Sequence, residues 1–208
     1  MIGVYLHYHD LKPQENWLLE LFDIEVAFLN SDVENETYIE WPEGVIELGY
    51  ATEEDRQKYC ILLNKAMYGN IDAPLCWMKT FSKYLTLTMG FVQSKSDPCV
   101  FIKRDENDKL LVILAVYVDD TLITGSKREV EKVYQQLKEK FVIEVLGKLN
   151  KHLGIRWIWF NYNQNDVGLK ATMKGMEYDI INDYEKLTGK KPKKSSTPGY
   201  PGKYLQKN

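Results

Sequence analysis

Between Leu110 and Gly125 an apolar run rich in β-branched residues is interrupted by Asp119 and Asp120, then becomes apolar again in Thr-Leu-Ile-Thr. This pattern predicts a β-hairpin with two neighbouring acids at its tip. The first arm, Leu110 to Val118, is too short to cross a bilayer, which takes roughly 20 residues in a helix. An earlier run, Leu18 to Val26, reads as a strand with acids interspersed, Asp23 among them. Tyr38–Trp41, Tyr59–Leu62 and Val100–Lys103 read as further short strands.

Elsewhere the apolar spacing changes to that of a helix. Trp77, Phe81, Tyr84, Leu85 and Met89 recur on one face after Asp72, an N-cap residue type, and Pro74; Gly90 closes the segment. Ser126-Lys-Arg-Glu129 has the form of a capping box and precedes Val130, Val133, Tyr134, Leu137 and Phe141 at the same spacing. His152–Phe160 and Gly168–Ala171 flank the polar turn Asn163–Asp166 and predict another hairpin. A last helix, about Met173 to Leu187, would present Met176, Ile180, Tyr184 and Leu187 and close on Gly189. At the N-terminus a brief helix such as Ile2–His9 is expected. There are no internal repeats. The class is α+β, an antiparallel sheet with helices packed on one face.

The chain has 208 residues with 44% hydrophobic content, ample for one domain or one domain with an appendage. Cys60, Cys76 and Cys99 are scattered, which argues against a disulfide framework or structural zinc, and His7, His9 and His152 form no ligand cluster. With no long apolar segment and no signal-peptide pattern, the chain reads as soluble and intracellular, with no membrane association. Net charge is −3, but it is unevenly placed. Seven of the 27 basic residues lie from Lys186 onward, where there is no acid, so the preceding chain carries 20 positive against 30 negative charges. A basic tail after an acidic body can contact phosphates or stand solvated.

Two adjacent carboxylates at the tip of a hydrophobic hairpin repel one another and favour a cationic partner, for which a divalent metal with oxygen ligands is the natural candidate. An ordinary Asp-Asp turn is the plainer alternative. Asp23 offers a third acid. An early strand can pair with a later hairpin in an antiparallel sheet, and three carboxylates there suit two-metal phosphoryl or nucleotidyl transfer.

Three stretches carry a resemblance to the reverse transcriptase of copia-like LTR retrotransposons. These are Phe22-Asp-Ile-Glu-Val-Ala-Phe-Leu-Asn30 followed by Tyr38-Ile-Glu-Trp-Pro-Glu-Gly44, Leu63-Asn-Lys-Ala-Met-Tyr-Gly69 with Ala73-Pro74 and Trp77, and Tyr117-Val-Asp-Asp120. Leu146-Gly147, Leu153-Gly-Ile155 and Ser196-Thr-Pro198 follow in the family's order. The resemblance implies an RNA-directed DNA polymerase with a palm-like antiparallel sheet. It would add dNTPs to a primer 3′-hydroxyl on an RNA or DNA template, with two Mg²⁺ ions or Mn²⁺ in their place. Asp23, Asp119 and Asp120 would be the metal-binding, catalytic carboxylates, with the backbone carbonyl of Ile24 as a further ligand. Phe28 would sit under the incoming sugar and exclude a 2′-hydroxyl. Tyr117 and Val118 would line the primer terminus and nucleotide floor. Tyr68 and Gly69 would begin the loop beneath the template base, and Leu153 and Gly154 would lie near the segment that grips the primer.

The chain also departs from that family. Asn70-Ile71-Asp72 stands where a Leu-Lys-Gln run is usual, and Leu75 where Arg is usual. An ionised Asp72 cannot donate hydrogen bonds as a glutamine would. Residues 1–17 are expected to be a remnant of a fingers region, 18–160 the palm, and 161–208 the start of a thumb with a basic tail. Such a truncated chain admits a second reading: a catalytically inactive retroelement remnant that at most binds nucleic acid or a partner.

Overall fold

The computed structural model describes residues 5–7, 17–161 and 167–193. Its strands are β1 (Tyr5–His7), β2 (Trp17–Ile24), β3 (Tyr38–Ile39), β4 (Ile61–Leu62), β5 (Val92–Gln93), β6 (Val100–Arg104), β7 (Leu110–Tyr117), β8 (Asp120–Ser126), β9 (Ile143–Lys148), β10 (Lys151–His152), β11 (Ile155–Asn161) and β12 (Val167–Thr172). Its helices are α1 (Glu53–Lys58), α2 (Ala73–Lys83), α3 (Lys127–Lys138) and α4 (Lys174–Thr188). The chain divides into two compact units: residues 9–149, and residues 1–8 together with 150–208.

The larger unit is built on a six-stranded antiparallel sheet in the order β5-β6-β7-β8-β2-β9. Alternation along its central strands separates two faces. Phe22 and Ile24 of β2, Thr121 and Ile123 of β8, and Val112, Leu114 and Val116 of β7 are buried on one. The expected apolar faces of α2 and α3 supply the other side of this core: Trp77, Phe81, Tyr84, Leu85 and Met89, and Val130, Val133, Tyr134, Leu137 and Phe141, are all buried. Phe141 stands edge-on to the rings of Trp77, Phe81 and Tyr84. Beyond α2 the chain widens into a π-helical turn, Tyr84–Thr88, and Gly90 leaves it at φ +72°. The α+β class is as expected from the sequence.

Both expected helix caps differ. Asp72 precedes α2 but has helical backbone angles (φ −86°, ψ −10°) and makes no capping bond. An N-cap needs extended angles to aim its oxygen at the first turn, and the Asp72 carboxylate instead accepts from Asn35 Nδ2 at 3.5 Å. Ser126 still belongs to β8, opposite Trp17, and its side chain makes no cap; Glu129 is drawn to Lys132 Nζ at 2.6 Å. A capping box does form elsewhere: Thr52 and Asp55 cap α1 reciprocally.

The smaller unit holds a four-stranded antiparallel sheet, β1-β12-β11-β10. Residues 5–7 are therefore strand rather than the expected helix, with Leu6 paired to Leu169. The expected polar turn Asn163–Asp166 and the end of the chain from residue 194 lie outside the described residues. Helix α4 ends at Gly189, φ +65°, as its spacing predicts, but none of its residues is buried. No helix among the described residues is long and apolar enough to cross a membrane.

Candidate active site

The site grows from strand register. Leu21 pairs with Leu122 and Phe22 with Thr121, where the ladder ends; Asp23 is the next residue along β2 and Asp120 the one before Thr121 on β8. On its other edge β2 pairs with β9, where Asp23 faces Glu144. Tyr117 faces Asp120 from β7. Because side chains alternate, Asp23 emerges on the face opposite buried Phe22 and Ile24. Tyr117, Asp120, Asp23 and Glu144 thus form a row across four strands on the side of the sheet away from α2 and α3. Ile24 ends β2 with its side chain in the core and its backbone next to Asp23.

Val118 and Asp119 are the two residues of the β7–β8 turn. Val118 has φ +57°, a left-handed conformation that is unfavourable for a β-branched residue. Asp119 Oδ1 accepts the backbone N–H of Asp120 at 3.2 Å. The Trp77 indole donates Nε1–H to the Val118 carbonyl at 2.7 Å.

The strand carrying Asp23 leaves the sheet through Val26, also left-handed at φ 48°, into a 3₁₀ turn, Ala27–Asn30. Asn30 Nδ2 donates to the carbonyls of Glu25 and Val26, each at 3.2 Å, and Ser31 donates through its hydroxyl to the Phe28 carbonyl at 2.9 Å. This turn sets Phe28 against Tyr68, ring centroids 4.6 Å apart. Tyr68 and Gly69 are the central residues of a turn closed by Asn70 N–H to the Met67 carbonyl; Gly69, φ +98°, supplies the conformation the second position needs.

Electrostatics tie these pieces together. Burial raises the Asp23 carboxyl above the ordinary carboxylate range, and Asp119, Asp120, Glu144 and Glu25 add to it by like-charge repulsion. Burial also raises the Tyr68 hydroxyl, with Asp119 and Asp23 adding to the shift. Asp23, Asp119 and Asp120 make no ion pair with a lysine or arginine among the described residues. Their donors are oxygen only, which suits a hard divalent cation. As placed, no three His, Cys, Asp or Glu side chains among the described residues converge closely enough to hold a metal ion. The acids are grouped by charge rather than drawn to one point.

Register brings Asp23, Asp120 and Tyr117 into one row, with Asp119 and Val118 at its tip and Phe28 and Tyr68 alongside. Leu153 and Gly154 belong to the other unit, where they form the two-residue turn between β10 and β11, at φ +49° and +78°. Glu144 was not foreseen. It lies in no motif, and only the β2–β9 register reveals it. Trp77 was legible as a core residue, but its hydrogen bond to the acidic turn was not.

The chain matches a family model described as reverse transcriptase (RNA-dependent DNA polymerase) over residues 8–198. It is 33% identical over 139 residues, 66% of its length, to the retrovirus-related Pol polyprotein from transposon TNT 1-94 of Nicotiana tabacum. It is 34% identical over 141 residues (67%) to that from transposon RE1 of Arabidopsis thaliana, and 33% over 176 residues (84%) to that from RE2 of the same plant. The matched segment is 9–11% of the length of these three polyproteins.

Proposed function

Because this chain belongs to the reverse transcriptase (RNA-dependent DNA polymerase) family, we propose that its six-stranded sheet is a polymerase palm and that the row of acids on it is the site of nucleotidyl transfer. The observation that carries this reading is the strand register that sets Asp23 opposite Glu144 and, at the end of the β2–β8 ladder, one residue beyond the Phe22–Thr121 pair that Asp120 adjoins, with Asp119 at the adjoining turn and no basic side chain among the described residues paired to these acids. Asp23, Asp119 and Asp120, with the Ile24 carbonyl, would hold two Mg²⁺ ions, or Mn²⁺, which would have to draw the carboxylates closer together than they stand in the metal-free fold. Bound there, the ions would activate the primer 3′-hydroxyl and neutralise the charge on the leaving pyrophosphate.

The rest falls to the chain's own groups. The incoming dNTP would lie over the Tyr117–Val118 end of the hairpin. The Phe28 ring, packed on Tyr68, would close the sugar side and reject a 2′-hydroxyl by steric clash. Tyr68 and Gly69 would begin the loop beneath the template base. Residues 18–160 would form the palm, preceded by a fingers remnant in 1–17. The segment containing Leu153 and Gly154 would contact the primer, with the beginning of a thumb beyond it. Template, primer and dNTPs would be the partners, within the cell.

Primer extension on an RNA template with Mg²⁺ and dNTPs tests the reading. Extension is expected from the chain and should be lost in Asp119→Asn. Extension that survives this substitution refutes the site. A chain that binds primer–template yet never extends it, even when joined to the preceding polyprotein segment, is a nucleic-acid-binding remnant instead.

A further inference from the structure

We propose that Trp77 is a positioning residue that clamps the acidic turn through the Val118 carbonyl; this rests on the reading of that turn as catalytic. Val118 occupies the first position of a two-residue hairpin turn with φ +57°. Gly or Asn is favoured at this conformation, while a β-branched side chain strains it. Release of that strain requires rotation about the N–Cα bond of Val118, which carries the peptide between Val118 and Asp119 round with it.

That peptide carries both the Val118 carbonyl and the Asp119 N–H. Turning it over would swing Asp119 relative to Asp23. The indole opposes the rotation by donating Nε1–H to the carbonyl at 2.7 Å. The donor is itself immobile. Trp77 is 1% exposed, stacked on Phe81 with ring centroids 5.0 Å apart, and met edge-on by Phe141 at 5.5 Å. The Val118 side chain packs on the same core, so the turn is held at two points. A rigid donor aimed from α2 across 41 residues of sequence therefore fixes the orientation of Asp119.

Trp77→Phe removes the donor and keeps an aromatic ring. We expect kcat for primer extension to fall about tenfold or more with KM for dNTP changed less than about threefold. Amide hydrogen exchange at residues 117–121, which needs no turnover, should speed up in the same variant. In a Val118→Gly background, where the turn is unstrained, the Trp77→Phe penalty on both readouts should shrink. Equal penalties in the two backgrounds, or Trp77→Phe with lowered stability but unchanged kcat and exchange, overturn the clamp. An inactive parent chain whose exchange still responds in this coupled way removes the polymerase reading and leaves the clamp standing. If Trp77→Phe does not fold, Val118→Gly and Val118→Ala are compared. Gly should have the higher denaturation midpoint despite its freer backbone, and the reverse order overturns the strain the clamp is built to hold.

Discussion

Replacing Asp23 by Asn should stabilise the metal-free fold while abolishing polymerisation. Asp23 is flanked across both neighbouring strands by acids, Asp120 and Glu144, with Asp119 at the turn and Glu25 two residues on. Like charges directly opposite in a sheet cost roughly 0.2–1 kcal/mol each. Two such neighbours set an upper figure near 2 kcal/mol, and solvent screening of this partly exposed group reduces it to about 1 kcal/mol. The sign of the pH dependence follows from the raised carboxyl. A pKa higher in the folded than in the unfolded chain means that ionisation penalises the fold. The penalty is complete above the folded pKa and disappears as pH falls through the carboxylate range. Urea unfolding in EDTA at pH 7 and low salt should therefore show Asp23→Asn more stable by about 1 kcal/mol, a rise in melting temperature of about 2–4 °C. The gain should vanish near pH 3 and shrink in about 1 M salt, where the Debye length is about 3 Å. Added Mg²⁺ should stabilise the parent and leave the variant unmoved. A variant that is less stable at pH 7, or whose gain persists at pH 3, refutes the crowding of charge at Asp23.

Thr121 is fully buried beneath the acid row and its hydroxyl finds no partner among the described residues; Thr121→Val should raise stability by about 1 kcal/mol in the same unfolding assay, because an orphaned buried hydroxyl is costly. Gly125→Ala should lower stability by about 1–3 kcal/mol, since a Cβ there would lie 2.6 Å from the Leu111 carbonyl oxygen and 3.0 Å from Val112 Cγ2, and β7 would have to move; an unchanged unfolding midpoint would contradict the close approach of the two hairpin strands.

Local pattern made the helices and the hairpin legible. The core faces of α2 and α3 follow from 3.6-residue spacing alone, and every residue that spacing selects there is buried. The two acids at the hairpin tip were equally plain, because a continuous apolar run stops at them and resumes after them. What could not be read was anything fixed by partners distant in sequence. Glu144 acquires meaning only from β2–β9 pairing, and β1 is a strand only because β12 lies beside it. Capping failed for a related reason: Asp72 and Ser126 have the right side chains, but Asn35 and the β8–β2 pairing determine what they do. In α4 the spacing predicted the helix correctly, yet Ile180 is 63% and Leu187 86% exposed; periodicity specifies a face without specifying a covering element.

The two acid-bearing segments share a construction that explains why this sheet has such a core. Each passes through a β-branched residue in the left-handed region, Val26 after β2 and Val118 after β7, and in each a side chain donates to that residue's carbonyl, Asn30 in one and Trp77 in the other. Such conformations cost of order 1–3 kcal/mol apiece, and the repulsion at Asp23 adds to the deficit. The compensation lies directly underneath. Phe22 and Ile24, the residues on either side of Asp23, are 0% and 1% exposed, and burial of side chains of this size contributes roughly 1.5–3 kcal/mol each. In β2, therefore, one alternating pattern serves two ends: the apolar positions supply the stability that the acidic position between them withdraws. A substitution that weakens Phe22 or Ile24 should loosen the acid row before it unfolds the sheet, because strain and charge repulsion are concentrated at that end of the strands.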